Sequence, residues 1–152
     1  LSRATRTIDG VNDGKEYSAN SDRRHDFAAA ASWRFSERSV VSTNFIYYTG
    51  SPITLPAGQY VIGGQTVSFI SERNGYRLPD YHRLDLSYTI DSKKKEDRKW
   101  NSSWNFSLYN AYGRKNAFAV LAGSATDPEQ NSDLVKLYLF RWVPSVTYNF
   151  NF

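Results

Sequence analysis

The chain has 152 residues, of which 40% are hydrophobic, 16% aromatic and 22% charged, and its formal net charge is +4. The absence of Cys excludes a disulfide framework, a thiol nucleophile and a Cys-ligated metal site. No apolar run approaches the roughly 18–20 residues of a membrane-spanning helix. A membrane-spanning β-strand needs only about ten residues, half of them polar beside a wet lumen, so this composition is compatible with a β-barrel.

Apolar and polar residues alternate with a period of two in five segments, and this pattern predicts β-strands. We expect the strands at about residues 25–35, 39–49, 83–90, 100–110 and 136–152. A helix would place Phe150 and Phe152 on different faces, and it would carry many Asn, Ser and Thr residues, which disfavour a helix interior.

The predicted connections alternate in length. Residues 36–38 and 91–99 are short turns, whereas about 50–82 and 111–135 are long loops. Structureless loops beyond about 12–15 residues are uncommon in compact soluble domains, but outer-membrane barrels combine short periplasmic turns with long extracellular loops. In the first loop, Gly63 and Gly64 predict a hairpin with a two-residue turn, and residues 127–129 predict a turn in the second.

Aromatic residues collect at both ends of the predicted strands. One level contains Trp33, Phe35, Tyr88, Trp100, Trp104, Phe150 and Phe152. The other contains Phe45, Tyr47, Tyr109, Phe140 and Trp142. Amphipathic rings favour lipid–water interfaces, so the pattern predicts an all-β fold, an antiparallel transmembrane β-barrel. Five strands cannot close a barrel, so we expect further strands from residues before Leu1 or from another chain.

Three phrases resemble the C-terminal barrel strands of TonB-dependent outer-membrane receptors of the Bacteroidota. Residues 77–85 match the family phrase R-L-P-x-Y-x-R-L-D, and residues 144–152 match P-S-x-x-Y-x-F-x-F. Residues 107–118 follow S-L-Y-N-x-Y-x-R-x-N-P-F except at Ala117, where the family usually has Pro, so the strand exit is less rigidly fixed. The resemblance covers about residues 25–152.

The resemblance implies that this chain contains the last five or so strands of a 22-stranded barrel in the bacterial outer membrane. A plug, expected before Leu1, would fill the barrel, and an inner-membrane TonB-type energy coupler would pull on it to import a nutrient. The barrel-assembly machinery would recognise a C-terminal signal formed by Val146, Tyr148, Phe150 and Phe152. Outer-membrane lipid is a further partner, and the resemblance allows for a surface lipoprotein that acts as a lid. The resemblance does not identify the nutrient.

Two sets of residues are candidates for function within this scheme. The first should face the lumen, where it contacts the plug or lines a solvated wall: Arg83, Asp85, Asn101 and Asn105. The second lies in the first long loop, where it contacts a ligand or partner, or packs the loop on itself: Tyr60, Phe69, Arg73, Tyr76 and Arg77.

We expect no enzyme activity, no cofactor and no metal site. His25 and His82 are far apart and lack ligand partners at suitable spacing. The basic run at residues 93–99 lacks interleaved aromatic residues, which favours a solvated turn over nucleic-acid binding. The alternatives to a receptor are a passive porin or adhesin barrel and, from a different class, a soluble β-sandwich that binds a ligand such as a carbohydrate.

Overall fold

A computed structural model describes residues 1–93, 100–122 and 134–151, and it is an all-β structure built from antiparallel sheets. In chain order, the strands are β1 Thr5–Arg6, β2 Tyr17–Ser18, β3 Asp26–Ser36, β4 Ser39–Tyr48, β5 Pro52–Ile53, β6 Gly58–Ile62, β7 Gln65–Phe69, β8 Tyr76–Arg77, β9 Tyr81–Asp91, β10 Asn101–Tyr109, β11 Ala117–Ala122, β12 Leu134–Tyr138 and β13 Val143–Asn151. A 3₁₀ turn covers Asn12–Gly14. Within these described ranges, no helix has the length and apolar character needed to cross a membrane.

The chain divides into two compact units. The loop unit contains Leu1–Asp26, Tyr48–Tyr81 and Asn116–Leu139, and the sheet unit contains Phe27–Tyr47, His82–Lys115 and Phe140–Phe152.

The sheet unit is built on one five-stranded sheet with the order β13-β10-β9-β4-β3. The register places Trp104 opposite Tyr148 of β13 and opposite Ile90 of β9. Because side chains alternate across a strand, this register fixes which residues share a face of the sheet. Four of the strands, β3, β4, β9 and β10, lie within two residues of the bounds expected from the sequence.

The fifth expected strand, at 136–152, is not continuous. Its first part belongs to β12, which pairs with β11, and its second part is β13, which pairs with β10. Residues 139–142 lie outside both strands. Eight of the ten residues from 134 to 143 are apolar, so alternation gives no indication of the boundary.

The loop unit contains four two-stranded sheets, β1-β2, β5-β8, β6-β7 and β11-β12. The hairpin expected in the first long loop is confirmed: β6 and β7 are joined by Gly63 and Gly64, with φ values of 58° and 79°. A type I′ turn requires positive φ angles at both of its central residues, and Gly adopts such angles without steric cost. Sheets β1-β2 and β5-β8 have strands of two residues, which are too short to produce a periodic sequence pattern.

The buried apolar residues among those described, Tyr17, Ala19, Pro52 and Val120, all belong to the loop unit. The described strands of the sheet unit contribute none. A sheet without a buried apolar face lacks the stabilisation that normally holds a β-layer in water.

Candidate functional site

The two faces of the five-stranded sheet differ sharply in chemistry. On what we call the apolar face, ten large side chains are between 38% and 70% exposed: Phe27, Trp33, Phe35, Val41, Leu86, Trp104, Phe106, Val146, Tyr148 and Phe150. Their rings contact one another along and across strands, as in Trp104–Tyr148, with centroids 4.8 Å apart, and Phe35–Tyr88, at 6.2 Å. The apolar face therefore exposes groups of contacting aromatic rings together with aliphatic side chains.

The opposite, polar face carries small hydrogen-bonding side chains. The Ser32 and Ser42 hydroxyl oxygens are 3.0 Å apart, and Asn105 Nδ2 donates to Thr89 Oγ1 at 2.8 Å. A concavity of about 530 Å³ lies here, and its lining includes Ser32, Ser42, Asp85 and Ser107. The polar face thus forms side-chain hydrogen bonds between neighbouring strands, and the concavity beside it is lined by both polar and apolar residues.

Arg83 and Asp85 lie together on this polar face. Asp85 Oδ2 accepts from Arg83 Nε at 3.0 Å and from Nη2 at 2.9 Å, while Arg83 Nη1 donates to the Tyr109 hydroxyl at 2.5 Å. The guanidinium also stands 3.9 Å from the Tyr109 ring centroid. Tyr109 ends β10, at the level expected from the sequence, but its side chain lies on the face of Asp85 and binds Arg83, so it does not belong to the aromatic residues of the apolar face.

The second oxygen of Asp85 holds the turn that follows β10. Asp85 Oδ1 accepts from the backbone N–H of Asn110 at 3.0 Å. Asn110 has a φ of +56° and is 1% exposed, and its side chain accepts from Arg114 N at 3.2 Å and donates to Arg114 O at 2.8 Å. Both carboxylate oxygens of Asp85 are thus engaged within the chain, so Asp85 acts as a structural link between β9 and this turn.

Gly113 completes the same turn. Its φ is +65°, and a Cβ at this position would overlap the indole of Trp142. Only Gly tolerates both the backbone conformation and the close approach. Sequence reasoning missed Asn110 and Gly113, although Asn followed three residues later by Gly is a signal for left-handed backbone conformations.

Asn101 lies further along the polar face. It pairs with Asn151, and Ser103 pairs with Asn149. These residues line a second recess of about 220 Å³, which also includes Asp91. Asn101 and Asn105 therefore share a face, as expected, but Asn101 lines this recess, whereas Asn105 binds Thr89.

His82 lies on the apolar side. Its Nδ1 is 2.6 Å from the Tyr112 hydroxyl, and its ring is 6.5 Å from that of Phe45 and 6.4 Å from that of Tyr47. Burial raises the pKa of Tyr112, and Arg114 partly offsets this. His82 thus belongs to an aromatic cluster. Among the residues that the structure describes, no group of three His, Cys, Asp or Glu side chains is arranged to hold a metal ion.

The residues proposed for the first long loop are dispersed. Tyr60 and Phe69 lie on one exposed face of the β6-β7 hairpin, and Tyr76 pairs with Ile53 in the β5-β8 sheet. Arg73 is bound through its backbone to Asn12. In the described part of this loop, the five form no hydrogen bond or ring contact with one another.

Arg77, the last of that set, is a structural residue. Its Nη2 donates to Asp22 Oδ2 at 2.5 Å, and its Nη1 donates to the carbonyls of Asp22 at 3.0 Å and Gly50 at 2.8 Å. The side chain of Asp22 is fully buried, and its Oδ1 accepts from Ala4 N at 2.9 Å. The Ala4 N–H, together with the Arg77 guanidinium, lowers the pKa of Asp22. Sequence reasoning missed Asp22 because it lies 55 residues from its partner.

Three residues of the expected C-terminal signal, Val146, Tyr148 and Phe150, lie on the apolar face of the edge strand β13. The fourth, Phe152, lies outside the described residues, as do residues 94–99 of the basic run and the turn expected at 127–129. A comparison of the chain with known protein families, curated proteins and solved structures finds no match.

Proposed function

We propose that the five-stranded sheet is part of the wall of an outer-membrane β-barrel, and that the chain belongs to a TonB-dependent receptor that imports a nutrient. The observation that carries the proposal is the contrast between the two faces of the sheet. The apolar face exposes ten large side chains, whereas the polar face carries hydrogen-bonded Ser, Asn, Arg and Asp side chains. A barrel wall needs lipid on one side and water on the other.

Free energy favours lipid over water at the apolar face. Removing a large apolar side chain from water contributes about 1.5–3 kcal/mol. Ten such side chains exposed in water form a patch far beyond what a monomeric soluble protein normally presents. In a soluble sandwich, a second sheet would have to cover them. In a barrel, hydrocarbon takes its place.

The edges of the sheet support the same proposal. Among the described strands, β3 and β13 each pair on one side only. An open edge in hydrocarbon leaves backbone N–H and C=O groups without partners, and each such group costs several kcal/mol. The proposed barrel supplies neighbouring strands at both edges.

Import of a nutrient, as opposed to passive passage or adhesion, is supported by the three family-like phrases. The side chains that these phrases provide, Arg77, Asp85 and Asn110, all anchor loops or turns in this fold. A receptor must hold long loops in place around its mouth. A plug would occupy the barrel, a TonB-type coupler would act on the plug, and a lipoprotein lid is a further partner.

Extraction and electrophoresis test the barrel. The protein should require detergent for extraction from the membrane fraction, and unheated samples should migrate on a denaturing gel differently from boiled ones. Equal migration, with full recovery in detergent-free buffer, would select the soluble sandwich instead.

Growth tests the receptor. A deletion strain should lose growth on one nutrient supplied at low concentration, and deletion of the energy coupler should reproduce that loss. A passive porin would be indicated if uptake were unaffected by loss of the coupler.

Assembly tests the C-terminal signal. Deletion of Phe152 should lower the yield of folded protein in the outer membrane, since the terminal ring would be presented to the assembly machinery. F69A, which removes an exposed ring of the β6-β7 hairpin outside this signal, is the matched control and should not change the yield. Unchanged yield without Phe152 would contradict this part of the proposal.

A further inference from the structure

The loop unit contains a recess that the proposed function does not use. Its volume is about 160 Å³, and it is lined by Arg6, Tyr17, Asn20, Ser21, Arg73 and Asn74. The lining residues include two Arg and no Asp or Glu. The recess is large enough for a small charged group.

The frame of the recess is held independently of its two arginine side chains. Asn12 binds the backbone of Arg73 twice, because its Oδ1 accepts from Arg73 N at 2.7 Å and its Nδ2 donates to Arg73 O at 3.0 Å. Asn74 has a φ of +56°, and its Nδ2 donates to Ser18 O at 2.8 Å. These bonds join the N-terminal segment to the segment that precedes β8, so the recess is preorganised.

The polar groups of the recess are mostly donors. In the described part of the chain, Arg6 and Arg73 form no ion pair, in contrast to Arg3, which pairs with Glu16. The two amide oxygens are already engaged, since Asn20 Oδ1 accepts from Asn74 Nδ2 at 2.5 Å and Asn74 Oδ1 accepts from Thr54 Oγ1 at 3.3 Å. The lining therefore offers positive charge and N–H donors but few free acceptors.

Tyr17 adds an independent observation. It is only 8% exposed, and its hydroxyl is buried without a hydrogen-bond partner among the described residues. Most buried side-chain polar atoms in proteins have a partner. Because Tyr17 lines the recess, an acceptor oxygen bound there would provide the hydrogen-bond partner that this hydroxyl lacks. The ligand that carries this oxygen would also be bound by Arg6 and Arg73.

We propose that this recess binds an oxyanion, either a carboxylate or a phosphate group. Arg6 and Arg73 supply the charge, and Tyr17 and Asn20 supply neutral donors. Charge-assisted hydrogen bonds from guanidinium to such groups are among the strongest that proteins form. The proposal depends on the loop unit alone, so it stands or falls separately from the barrel.

Calorimetric titration of the intact protein, in detergent or in buffer as its extraction requires, tests this site. The probes are inorganic phosphate and acetate, each compared with chloride at equal ionic strength. We expect saturable binding of at least one of them. The probe that binds shows whether the recess takes a phosphate or a carboxylate group. If neither binds more tightly than chloride, the proposal is overturned.

Substitutions locate the binding in the recess. R73Q retains the backbone bonds to Asn12 and should weaken binding about tenfold, through loss of a charge-assisted bond. R3Q is the matched control, since it removes one positive charge from the N-terminal segment outside the recess. Equal weakening by both variants would show a nonspecific charge effect and overturn the site.

Y17F separates binding from structure. We expect it to weaken binding several-fold and to leave the thermal stability without probe unchanged, since the hydroxyl has no partner to lose. Lower stability in the absence of probe, with unchanged affinity, would show that the hydroxyl serves the fold and would overturn its assignment to the site.

Discussion

The loop unit and the sheet unit are stabilised in different ways. The loop unit has a small buried set that includes Tyr17, Ala19 and Val120, and it is held by specific polar links such as that of Arg77 with the fully buried Asp22. The sheet unit has a regular hydrogen-bonded ladder, and its large apolar side chains remain exposed. The loop unit therefore carries stabilisation of its own, whereas the apolar face of the sheet is not covered by any of the described residues.

Breaking the buried ion pair should have the largest effect on the loop unit. R77A leaves the Asp22 carboxylate buried without its partner and should cost about 3–5 kcal/mol. R3A is the control, because Arg3 and Glu16 are 73% and 54% exposed, and such pairs contribute about 0–1 kcal/mol. Thermal unfolding and protease resistance measure both. An equal effect of R77A and R3A would contradict the assigned role of Arg77.

The same pair predicts a dependence on pH. The pKa of Asp22 is lowered in the fold, first by the Ala4 N–H and then by Arg77. The stability that this carboxylate provides is therefore complete above its ordinary value of 3.8 and is lost as the pH falls through its lower folded value. Comparison of wild type with D22N between pH 5 and 2 should show this loss in wild type only. A parallel decline in both proteins would assign it to other carboxylates.

In the sheet unit, loss of the Asp85 link should have an intermediate effect. D85A removes the acceptor of Asn110 N and the partner of Arg83, and it should cost about 1–3 kcal/mol. Hydrogen exchange at the Asn110 amide should accelerate. S87A is the control on the same face of β9 and should leave that amide protected. Continued protection in D85A would show that the turn is held by other contacts.

Two glycines separate backbone strain from steric overlap. At Gly63, with a φ of +58° and no atom within 4 Å of an added Cβ, G63A should cost about 1 kcal/mol. G113A should cost about 1–3 kcal/mol more, because its Cβ would overlap the Trp142 indole. Thermal unfolding compares them. Equal losses would show that Trp142 moves away without cost.

The regular part of this fold could be predicted from the sequence. Alternation locates β3, β4, β9 and β10, and Gly63-Gly64 locates the β6-β7 hairpin. Alternation fails at β12, where nearly every residue is apolar, and at strands of two residues such as β1. It also fails where a polar side chain is used at long range.

The candidate site illustrates this last limit. Arg77 and Asp85 stand out in the sequence, but their partners cannot be identified from it, since Arg77 binds Asp22 and Asp85 binds the N–H of Asn110, 55 and 25 residues away. Apolar and polar residues alternate along β10 before Tyr109, and this alternation places Tyr109 on the polar face, although its aromatic ring suggested the apolar face. At the end of a strand, the odd or even position of a residue predicts the face of its side chain better than the chemical character of that side chain does.

The environments of Trp104 and Asn105, adjacent residues on opposite faces of β10, test the central claim most directly. Since the chain has no Cys, W104C and N105C each provide one labelling site for an environment-sensitive fluorophore in lipid vesicles. We predict that the label at position 104 is quenched by a lipid-borne nitroxide and shielded from aqueous iodide, and that the label at position 105 shows the reverse. Iodide quenching of position 104, without quenching by the nitroxide, would contradict the barrel.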